Sequence, residues 1–475
     1  MIIKGKNADW ELVIGLETHL QITSKEKLFS SASADYRPGL EPNTHVSDYD
    51  LMKPGTKPVL NPECVTQAIK MGLGLNAEIT KESGWARKFY SYPDLPAGYQ
   101  LTQFPDKPPI VGKGFVEITD GDKIKKIYIN RAHLEADAAK IKGDLIDLNR
   151  LGVALLEIVT EPCMSSPSEV EKYLREIQSI ARALGVSDAN MEEGSMRTDI
   201  NISVRMVGEK TFRTKTEIKN MISFKFIKNA IEFEANRQVG IYDQGGQVSQ
   251  DTMHYNELDG SVSIARSKEN ATDYGYTPDP DLPPLIITDE EIERIRAGLP
   301  ELPRARRSRL LAMGLARADA ERIGDDNELC KYFDDVLGSR RLPGAGKLAA
   351  NWILGDIAAN PEVEVPAAWL AELIDLISAD EVSSKGAKDI FAKLVEGETG
   401  TPREIMEKHG LRQVTDTAAV EAAADTIIQA HAAEAEQYRA GKVGLLGFFV
   451  GQVMKATGGV ANPKVVSEIV AKKLS

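Results

Sequence analysis

Residues 196–205 alternate polar and apolar side chains with a period of two, and residues 213–219 carry a charge at every second position. In a β-strand successive side chains point to opposite faces, so both stretches predict strands with one polar face. Charges of both signs on such faces favour a cradle for phosphates, carboxylates or a metal ion, although an ordinary solvated sheet has the same alternation. The polar-face residues are Arg197, Asp199, Asn201, Ser203, Arg205, Arg213, Lys215, Glu217 and Lys219.

The bulk composition is that of a soluble globular protein with more than one domain. A chain of 475 residues exceeds what one core normally holds, so two or three domains are expected. A net charge of −13 argues against indiscriminate binding to DNA or to an anionic membrane. Three dispersed cysteines and a polar start without a signal-like apolar segment favour a cytoplasmic protein with reduced thiols.

The order of patterns along the chain predicts an α+β fold. Short aliphatic runs punctuated by Gly, Pro and Asn continue to about residue 290 and predict a β-rich domain with inserted helices. One helix is predicted from the capping box that starts at Ser166 to the stop at Gly185, and a second over about 223–237. Beyond about residue 295, helical periodicity with a break near 397–402 predicts two helical segments.

The last segment is locally basic although the whole chain is acidic. Its basic residues flank a glycine-punctuated apolar helix at 441–455, an arrangement that suits contacts with nucleic-acid phosphates. A lysine-rich helix face exposed to solvent has the same composition. The basic residues are Arg439, Lys442, Lys455, Lys464, Lys472 and Lys473.

Two further segments carry side chains that suit a divalent cation. Glu17 and His19 share one predicted strand face, and the same alternation aligns His133 with Glu135 and Asp137. Oxygen ligands suit Mg²⁺, and an imidazole among them also admits Mn²⁺. Glu157 interrupts an apolar run, where its carboxylate needs either a cation or a structural arginine to offset desolvation.

Familiar nucleotide-binding and catalytic motifs are absent from the sequence. The segment Pro343-Gly-Ala-Gly-Lys347 lacks the upstream glycine and the following Ser or Thr of a Walker A loop. The chain has neither a Gly-x-Ser-x-Gly elbow nor a protein-kinase signature set. Any use of ATP therefore requires a less common nucleotide site.

Nine distinctive segments occur in order along nearly the whole chain. They are Ile14-Gly-Leu-Glu-Thr-His-Leu, Glu41-Pro-Asn-Thr, Tyr92-Pro-Asp-Leu-Pro, Asp147-Leu-Asn-Arg, Leu156-Glu-Ile-Val-Thr-Glu-Pro, Met191-Glu-Glu-Gly-Ser-Met-Arg, Glu217-Ile-Lys-Asn, Pro278-Asp-Pro-Asp-Leu and Gly447-Phe-Phe-Val-Gly-Gln-Val-Met-Lys. Together they resemble the B subunit of the glutamine-dependent aspartyl/glutamyl-tRNA amidotransferase (the GatB family). The resemblance implies a cradle domain over 1–295, a helical domain over 296–405 and a YqeY-like, tRNA-binding helical tail over 406–475.

The resemblance also implies an activity, cofactors and partners. Family members use ATP and Mg²⁺, for which Mn²⁺ is a candidate substitute, to phosphorylate the side-chain carboxylate of Asp or Glu mischarged on tRNA(Asn) or tRNA(Gln). Ammonia released from glutamine by the A subunit then displaces the phosphate, and the C subunit holds A and B together. The expected partners are therefore the A and C subunits and the mischarged tRNA.

By residue match, the resemblance assigns roles to positions of this chain. The metal-site candidates are Glu17, His19, Glu135 and Glu157. The catalytic candidates are Arg197, Asp199, Lys215, Glu217 and Lys219. The candidates for nucleotide binding are Asn149, Arg150, Arg197 and Lys219.

Four positions depart from the family pattern. Ala136 replaces a carboxylate expected at the metal site, and Gly275 replaces an arginine. Cys163 replaces an aspartate, and Ser91 replaces an aromatic residue. Loss of a ligand and of a basic residue together predicts weaker metal and phosphate binding. The alternative function is therefore a diverged paralogue that binds aminoacyl-tRNA or another partner without phosphorylating it.

Overall fold

The computed structural model describes residues 1–475 except 38, 91, 104–106, 122, 257–259, 268–273, 343, 414–416 and 458–460. It divides into two compact units, Met1–Pro303 and Arg304–Ser475. The first combines a large sheet with helices and the second is helical, which confirms the predicted α+β class. Among the described residues, no helix has both the length and the apolar character needed to cross a bilayer.

The first unit contains strands β1–β16 and helices α1–α4. The strands are β1 Ile2–Lys4, β2 Asp9–Gln21, β3 Glu82–Ser83, β4 Ala86–Phe89, β5 Tyr99–Thr102, β6 Gly114–Asp120, β7 Lys123–Ala136, β8 Lys140–Lys142, β9 Leu145–Asp147, β10 Ala154–Thr160, β11 Met196–Met206, β12 Thr216–Met221, β13 Asp251–Tyr255, β14 Val262–Ser267, β15 Gly275–Pro278 and β16 Leu285–Ile286. The helices are α1 Pro62–Gly74, α2 Pro167–Ala183, α3 Phe224–Asp243 and α4 Asp289–Ala297.

Most of the described strands form one sheet in the order β14-β13-β12-β11-β2-β10-β7-β5-β4-β15, with β1 added to β2 and β6 to β7. Strand β2 lies in the middle and pairs antiparallel with β10 on one side and β11 on the other. Its partners come from distant parts of the sequence, so the sheet gathers side chains from separate segments. The predicted polar-face segments lie on neighbouring strands, except that β12 begins only at Thr216, so Arg213 and Lys215 of the predicted 213–219 strand precede it.

One face of this sheet is the hydrophobic core of the unit. The even-numbered residues Ile14, Leu16 and Leu20 of β2 are almost fully buried there, as are their neighbours on β10 and β11. The predicted helix, α2, lies in the same core through Tyr173 and Ile177. Because side chains alternate along each strand, the odd-numbered residues lie on the opposite face.

The start of α2 follows the prediction except in one detail. Ser166 caps the helix, since its hydroxyl accepts a hydrogen bond from the backbone N–H of Glu169 at 3.2 Å, and Pro167 occupies the first turn. The Glu169 carboxylate does not return to the cap residue. It accepts from the backbone N–H of Ser165 at 2.6 Å and from Lys125 at 2.7 Å, because the strand that carries Lys125 lies next to the helix start.

Helix α3 begins after Ser223 as predicted but continues to Asp243, beyond the predicted end near Arg237. The ring of Tyr242 in its last turn stacks on Trp10 of β2 with centroids 5.2 Å apart. This tertiary contact holds the last turn in place across Gly240, which local sequence alone favours as a helix end.

The second unit contains helices α5–α15 and two hydrophobic cores. One core lies among α5–α11 around Phe333 and Ile374, and the other lies among α12–α15 around Phe449 and Val466. The helices are α5 Pro303–Ala312, α6 Arg317–Gly324, α7 Asn327–Ser339, α8 Gly346–Trp352, α9 Ala367–Ser378, α10 Ser384–Val395, α11 Pro402–Lys408, α12 Thr417–Ala430, α13 Ala432–Arg439, α14 Leu446–Ala456 and α15 Pro463–Leu474.

The cap of α2 gives a test of the first unit. Replacing Ser166 by Ala removes an acceptor for a helix-end N–H and is expected to lower the free energy of unfolding by about 1 kcal/mol. Ser168→Ala, two residues later on the exposed side of the same turn, is the matched control and is expected to change it by less than about 0.5 kcal/mol. Urea unfolding of the full chain, followed by tryptophan fluorescence, measures both, and equal effects would contradict the assigned cap.

Candidate functional site

The polar face of the sheet carries two rows of ionisable side chains that lie directly opposite one another across the strands. The first row runs from His133 on β7 through Glu157 on β10 and His19 on β2 to Arg197 on β11. In the next row, Glu17 of β2 faces Asp199 of β11. Side chains opposite each other in an antiparallel pair lie about 5 Å apart, so the register alone brings these groups together.

Three residues of the first row and Glu135 form what we term the histidine cluster: His19, His133, Glu135 and Glu157. His19 Nε2 lies 3.4 Å from Glu157 and 3.7 Å from Glu135, and His133 Nε2 lies 3.7 Å from Glu157 and 3.8 Å from Glu135. The four side chains are between 5% and 14% exposed. Arg131, the candidate structural partner of Glu157, stands farther from that carboxylate, at 4.0 Å.

Charge and burial set the protonation of the histidine cluster. Burial lowers the pKa of His133 to about 4, so this imidazole is neutral near pH 7. Burial opposes the charge of Glu157, but the two histidines outweigh it and hold the pKa of Glu157 below the ordinary range. Burial and the charge of Glu157 raise the pKa of Glu135. Burial also lowers the pKa of His19, but its hydrogen bond to Glu157 and the charge of that carboxylate outweigh burial and raise the pKa overall. Metal ions bind the neutral imidazole and the carboxylate, so a cation in this cluster would displace protons from His19 and Glu135.

The second group, which we term the acidic cluster, consists of Glu17, Asp199 and Glu217. Lys219 lies among these carboxylates, with its Nζ 2.6 Å from Asp199 and 3.0 Å from Glu217. Burial lowers the pKa of Lys219, but the two carboxylates more than offset this, so its pKa is raised. Burial and the charges of Glu157 and Glu217 raise the pKa of Glu17. The acidic cluster therefore holds more negative charge than its lysine neutralises.

A register shift between β11 and β12 helps to shape the acidic cluster. Thr198 pairs with Met221 but Ile200 pairs with Ile218, so the β12 strand has an extra residue there. Asn220 takes a left-handed backbone conformation with φ 55° and donates its backbone N–H to Asp199 at 2.8 Å. Such a bulge re-aims side chains, and here Lys219 and Asn220 both contact Asp199.

Both clusters fit a divalent cation. One ligand atom from each of His19, Glu135 and Glu157 lies within 4.8 Å of the others, and the same is true of Glu17, Asp199 and Glu217. Three carboxylates suit a hard ion such as Mg²⁺, and the mixed imidazole and carboxylate set also suits Mn²⁺.

The predicted arginines lie at the edge of the histidine cluster. Arg197 donates to Asp137 at 3.2 Å, and the charge of Asp137 raises the pKa of Arg197. Arg150 lies 3.6 Å from the same carboxylate and donates to the carbonyls of Ala138 and Ala139. Both guanidiniums therefore brace the turn after β7, and Arg197 also faces His19 across the strand pair.

Lys215 and Asn149 occupy different surroundings from the other candidates. Lys215 lines a cavity of about 200 Å³ together with Glu17 and Asn201, and Asn201 donates to Glu17 at 3.2 Å. The Asn149 side chain is buried, accepts from the backbone N–H of His45 and donates to the carbonyl of Glu41, both at 2.9 Å. The structure therefore brings Lys215 to the acidic cluster and places Asn149 in the support of the 41–45 loop.

Sequence comparisons give the lineage of this site. Residues 12–293 match the family model of the GatB/GatE catalytic domain, and residues 331–474 match that of the GatB domain. The chain belongs to the GatB family.

Curated relatives match the chain over its full length. The B subunit of the aspartyl/glutamyl-tRNA(Asn/Gln) amidotransferase from Paramagnetospirillum magneticum is 46% identical over 491 residues, covering 100% of this chain and 99% of the relative. The B subunit from Gluconobacter oxydans is also 46% identical, with the same coverage. The one from Methylobacterium sp. is 47% identical over 490 residues, covering 100% of this chain and 98% of the relative.

Two of the departures from the family pattern lie away from the clusters, and the expectation that they weaken metal and phosphate binding stays a prediction. Ala136 follows Glu135 on β7, so its side chain projects to the opposite face, where it lines a small cavity beside Asp50. Gly275 pairs with Phe89, and Phe89 follows Lys88, which faces the histidine cluster. A side chain at position 275 would therefore project away from the clusters. Neither position faces the histidine cluster or the acidic cluster.

The other two departures are Cys163 and Ser91. Cys163 lies in the turn between β10 and α2, where burial raises the pKa of its thiol. Ser91 lies outside the described residues.

Sequence matching did not assign His133 and Lys88 to the site. His133 alternates with Glu135, so the strand pattern already places both on one face. Lys88 lies on β4, a strand of four residues without an alternating pattern of its own, and only the pairing of β4, β5 and β7 brings it near Glu135.

Binding of Mn²⁺ tests the metal assignment. Glu157→Gln keeps the shape of the side chain but removes a ligand charge, and it is expected to weaken Mn²⁺ binding to the purified chain at least about tenfold. Ala136→Glu adds a carboxylate on the other face and is expected to leave the affinity within about twofold. Electron paramagnetic resonance of free Mn²⁺ measures both, and tighter binding by Ala136→Glu would show that this position reaches the metal.

Proposed function

We propose that this chain is the B subunit of a glutamine-dependent tRNA amidotransferase in the cytoplasm and activates the side-chain carboxylate of Asp-tRNA(Asn) or Glu-tRNA(Gln) with ATP. The observation that supports this most directly is the pair of clusters on one sheet face, each with three potential cation ligands close together. A carboxylate oxygen is a poor leaving group, so an amine cannot replace it directly. Phosphorylation turns that oxygen into part of a good leaving group, and phosphoryl transfer depends chiefly on positioning and on stabilisation of charge.

The reaction has two balanced steps. A carboxylate oxygen of the substrate forms a bond to the γ-phosphorus of ATP, and the bond to ADP breaks. Ammonia, supplied by the A subunit, then forms a bond to the acyl carbon, and phosphate leaves as the amide forms. Mg²⁺ supplies charge neutralisation of the phosphates when it is bound.

The two clusters would each hold one cation. His19, Glu135 and Glu157 would hold one cation, with His133 against the same carboxylates. The acidic cluster would hold a second, in the position where Lys219 now neutralises Asp199 and Glu217. Carboxylates hold Lys219 and Arg197 in fixed positions near the clusters, at 2.6 Å and 3.2 Å, and a cation at the acidic cluster would free the charge of Lys219 for a phosphate.

The cavity beside Glu17 suits the nucleotide. Its walls carry the amide of Asn201, the hydroxyl of Ser203 and the cationic side chains of Arg213 and Lys215. Phe212 adds an exposed aromatic ring, on which a base can stack. Phosphates that extend from this cavity toward Glu17 reach the acidic cluster directly.

The proposed partners are the A and C subunits and the mischarged tRNA. The basic residues of the tail support tRNA binding, since Lys455 and Lys464 have no carboxylate within ion-pair distance among the described residues. Lys473 is paired with Asp425 and contributes less free charge. The alternative of a paralogue that does not phosphorylate depended on Ala136 and Gly275, and neither faces the clusters, so we favour the active subunit.

Turnover by the assembled enzyme tests the proposal. The complex with A and C subunits is expected to hydrolyse ATP in a reaction that needs Mg²⁺ and is stimulated by mischarged tRNA. Glu17→Gln is expected to lower that rate at least about a hundredfold, because it removes a charge from the acidic cluster. Glu11→Gln is the matched control, since Glu11 lies on the same strand and face, about 20 Å away, and pairs with Arg205.

Two results would contradict this assignment. Absence of tRNA-stimulated ATP hydrolysis by the unmodified complex, with tRNA binding intact, would favour the non-phosphorylating paralogue. Equal loss of turnover in Glu17→Gln and Glu11→Gln would show that the effect comes from the sheet rather than from the acidic cluster.

A further inference from the structure

Lys88 is a half-buried lysine on the same sheet face as the histidine cluster. It lies opposite Gln100 of β5, and two residues along β5, Thr102 lies opposite Glu135 of β7. Residues two apart on a strand share a face, so Lys88 projects to the side that carries Glu135. Its charge acts on three members of the histidine cluster, since it contributes to the pKa of His133, Glu135 and Glu157.

The contacts of Lys88 are aromatic. Its Nζ lies 4.9 Å from the ring centre of Tyr274 and 5.7 Å from that of Tyr90. In the described part of the chain no carboxylate lies within 4.0 Å of this nitrogen, in contrast to Lys219, which contacts two. Aromatic faces attract an ammonium but leave its full charge in place.

The neighbouring polar groups already have partners. The amide of Gln100, opposite Lys88, donates to the carbonyl of Ala136 at 2.8 Å and accepts from the Tyr90 hydroxyl at 3.2 Å. The ammonium therefore keeps donors for a group that comes from outside the chain. A half-buried charge without a counter-ion is costly, and an anion placed between Lys88 and a cation in the histidine cluster removes that cost.

We propose that Lys88 is an oxyanion-binding residue that holds the transferred phosphoryl group against the cation of the histidine cluster. The inference rests on the proposed function for the identity of the phosphoryl group. A phosphoryl group has three oxygens and bridges a metal ion and an ammonium at once, whereas the side-chain carboxylate of the substrate has two, of which one becomes bonded to phosphorus. Lysine is a common point-charge partner of phosphate.

The test uses the purified full-length chain, Mn²⁺ and inorganic phosphate. Broadening of the ³¹P resonance by bound Mn²⁺ measures phosphate binding, and electron paramagnetic resonance measures Mn²⁺ binding alone. Lys88→Met is expected to weaken phosphate binding to the Mn²⁺-loaded chain at least about tenfold, because a charge-assisted hydrogen bond is lost. Binding of Mn²⁺ without phosphate is expected to be unchanged or tighter, because a repelling charge is gone.

Two matched variants accompany it. Lys88→Arg keeps the charge and is expected to retain phosphate affinity within about threefold. Lys126→Met removes a lysine that also lies over an aromatic ring, with its Nζ 4.0 Å from the ring centre of Phe115. Lys126 precedes Glu135 by nine residues on β7, so it lies about 30 Å from the histidine cluster along the strand. The Lys126→Met variant is expected to bind both ions as the unmodified chain does.

The outcomes separate this inference from the proposed function. Equal phosphate affinity in Lys88→Met and the unmodified chain, or no phosphate binding by either, overturns the inference. Joint weakening of Mn²⁺ and phosphate binding also overturns it, since that pattern indicates a structural role. Competition by acetate as strong as by phosphate shifts the assignment from phosphoryl to carboxylate and contradicts it. Failure of tRNA-stimulated ATP hydrolysis, with the phosphate results as expected, overturns only the proposed function.

Discussion

The pairing of β2 with β10 and β11 is the constraint on which the whole site depends. It sets His19 opposite both Glu157 and Arg197, and Glu17 opposite Asp199. A slip of one residue in either pairing would turn these side chains into the core and expose leucines and isoleucines to water. The core face, filled by Leu16, Leu20 and their neighbours, therefore fixes the register, and the register fixes the chemistry of the other face.

That face brings carboxylates close together in both clusters. Glu135 and Glu157 are close together and mostly buried, and burial, followed by repulsion from Glu157, raises the pKa of Glu135. The same repulsion, transmitted from Glu157, contributes to the raised pKa of Glu17 in the neighbouring cluster. Such an arrangement opposes folding, so the hydrophobic core must offset it. A bound cation would relieve the repulsion in both clusters, which couples metal binding to stability.

The sequence predicts what depends on local patterns, and tertiary contacts decide the rest. Alternation correctly separated the polar and apolar faces of β11, and the Ser166 cap correctly located α2. Alternation also predicts that Ala136 faces away from the histidine cluster, since it follows Glu135 on the same strand. The end of α3 depends on the Tyr242–Trp10 stack, and the position of Lys88 depends on two strand pairings between short segments. Neither the end of α3 nor the position of Lys88 can be predicted from the local sequence.

The cationic side chains around the clusters differ in their contacts, and these contacts decide how readily each one can bind an arriving phosphate. Lys219 and Arg197 are tied to carboxylates of the chain itself, so an arriving phosphate has to compete with Asp199 or Asp137 for their charge. Lys88 is held by tyrosine rings, which compete far less. Lys88 lies on the far side of the histidine cluster from the acidic cluster, so an anion between Lys88 and the histidine cluster gains most from its charge. Lys219 becomes available only when a cation takes over the neutralisation of Asp199 and Glu217. Metal binding at the acidic cluster and phosphate binding by Lys219 are in this way linked through the same two carboxylates.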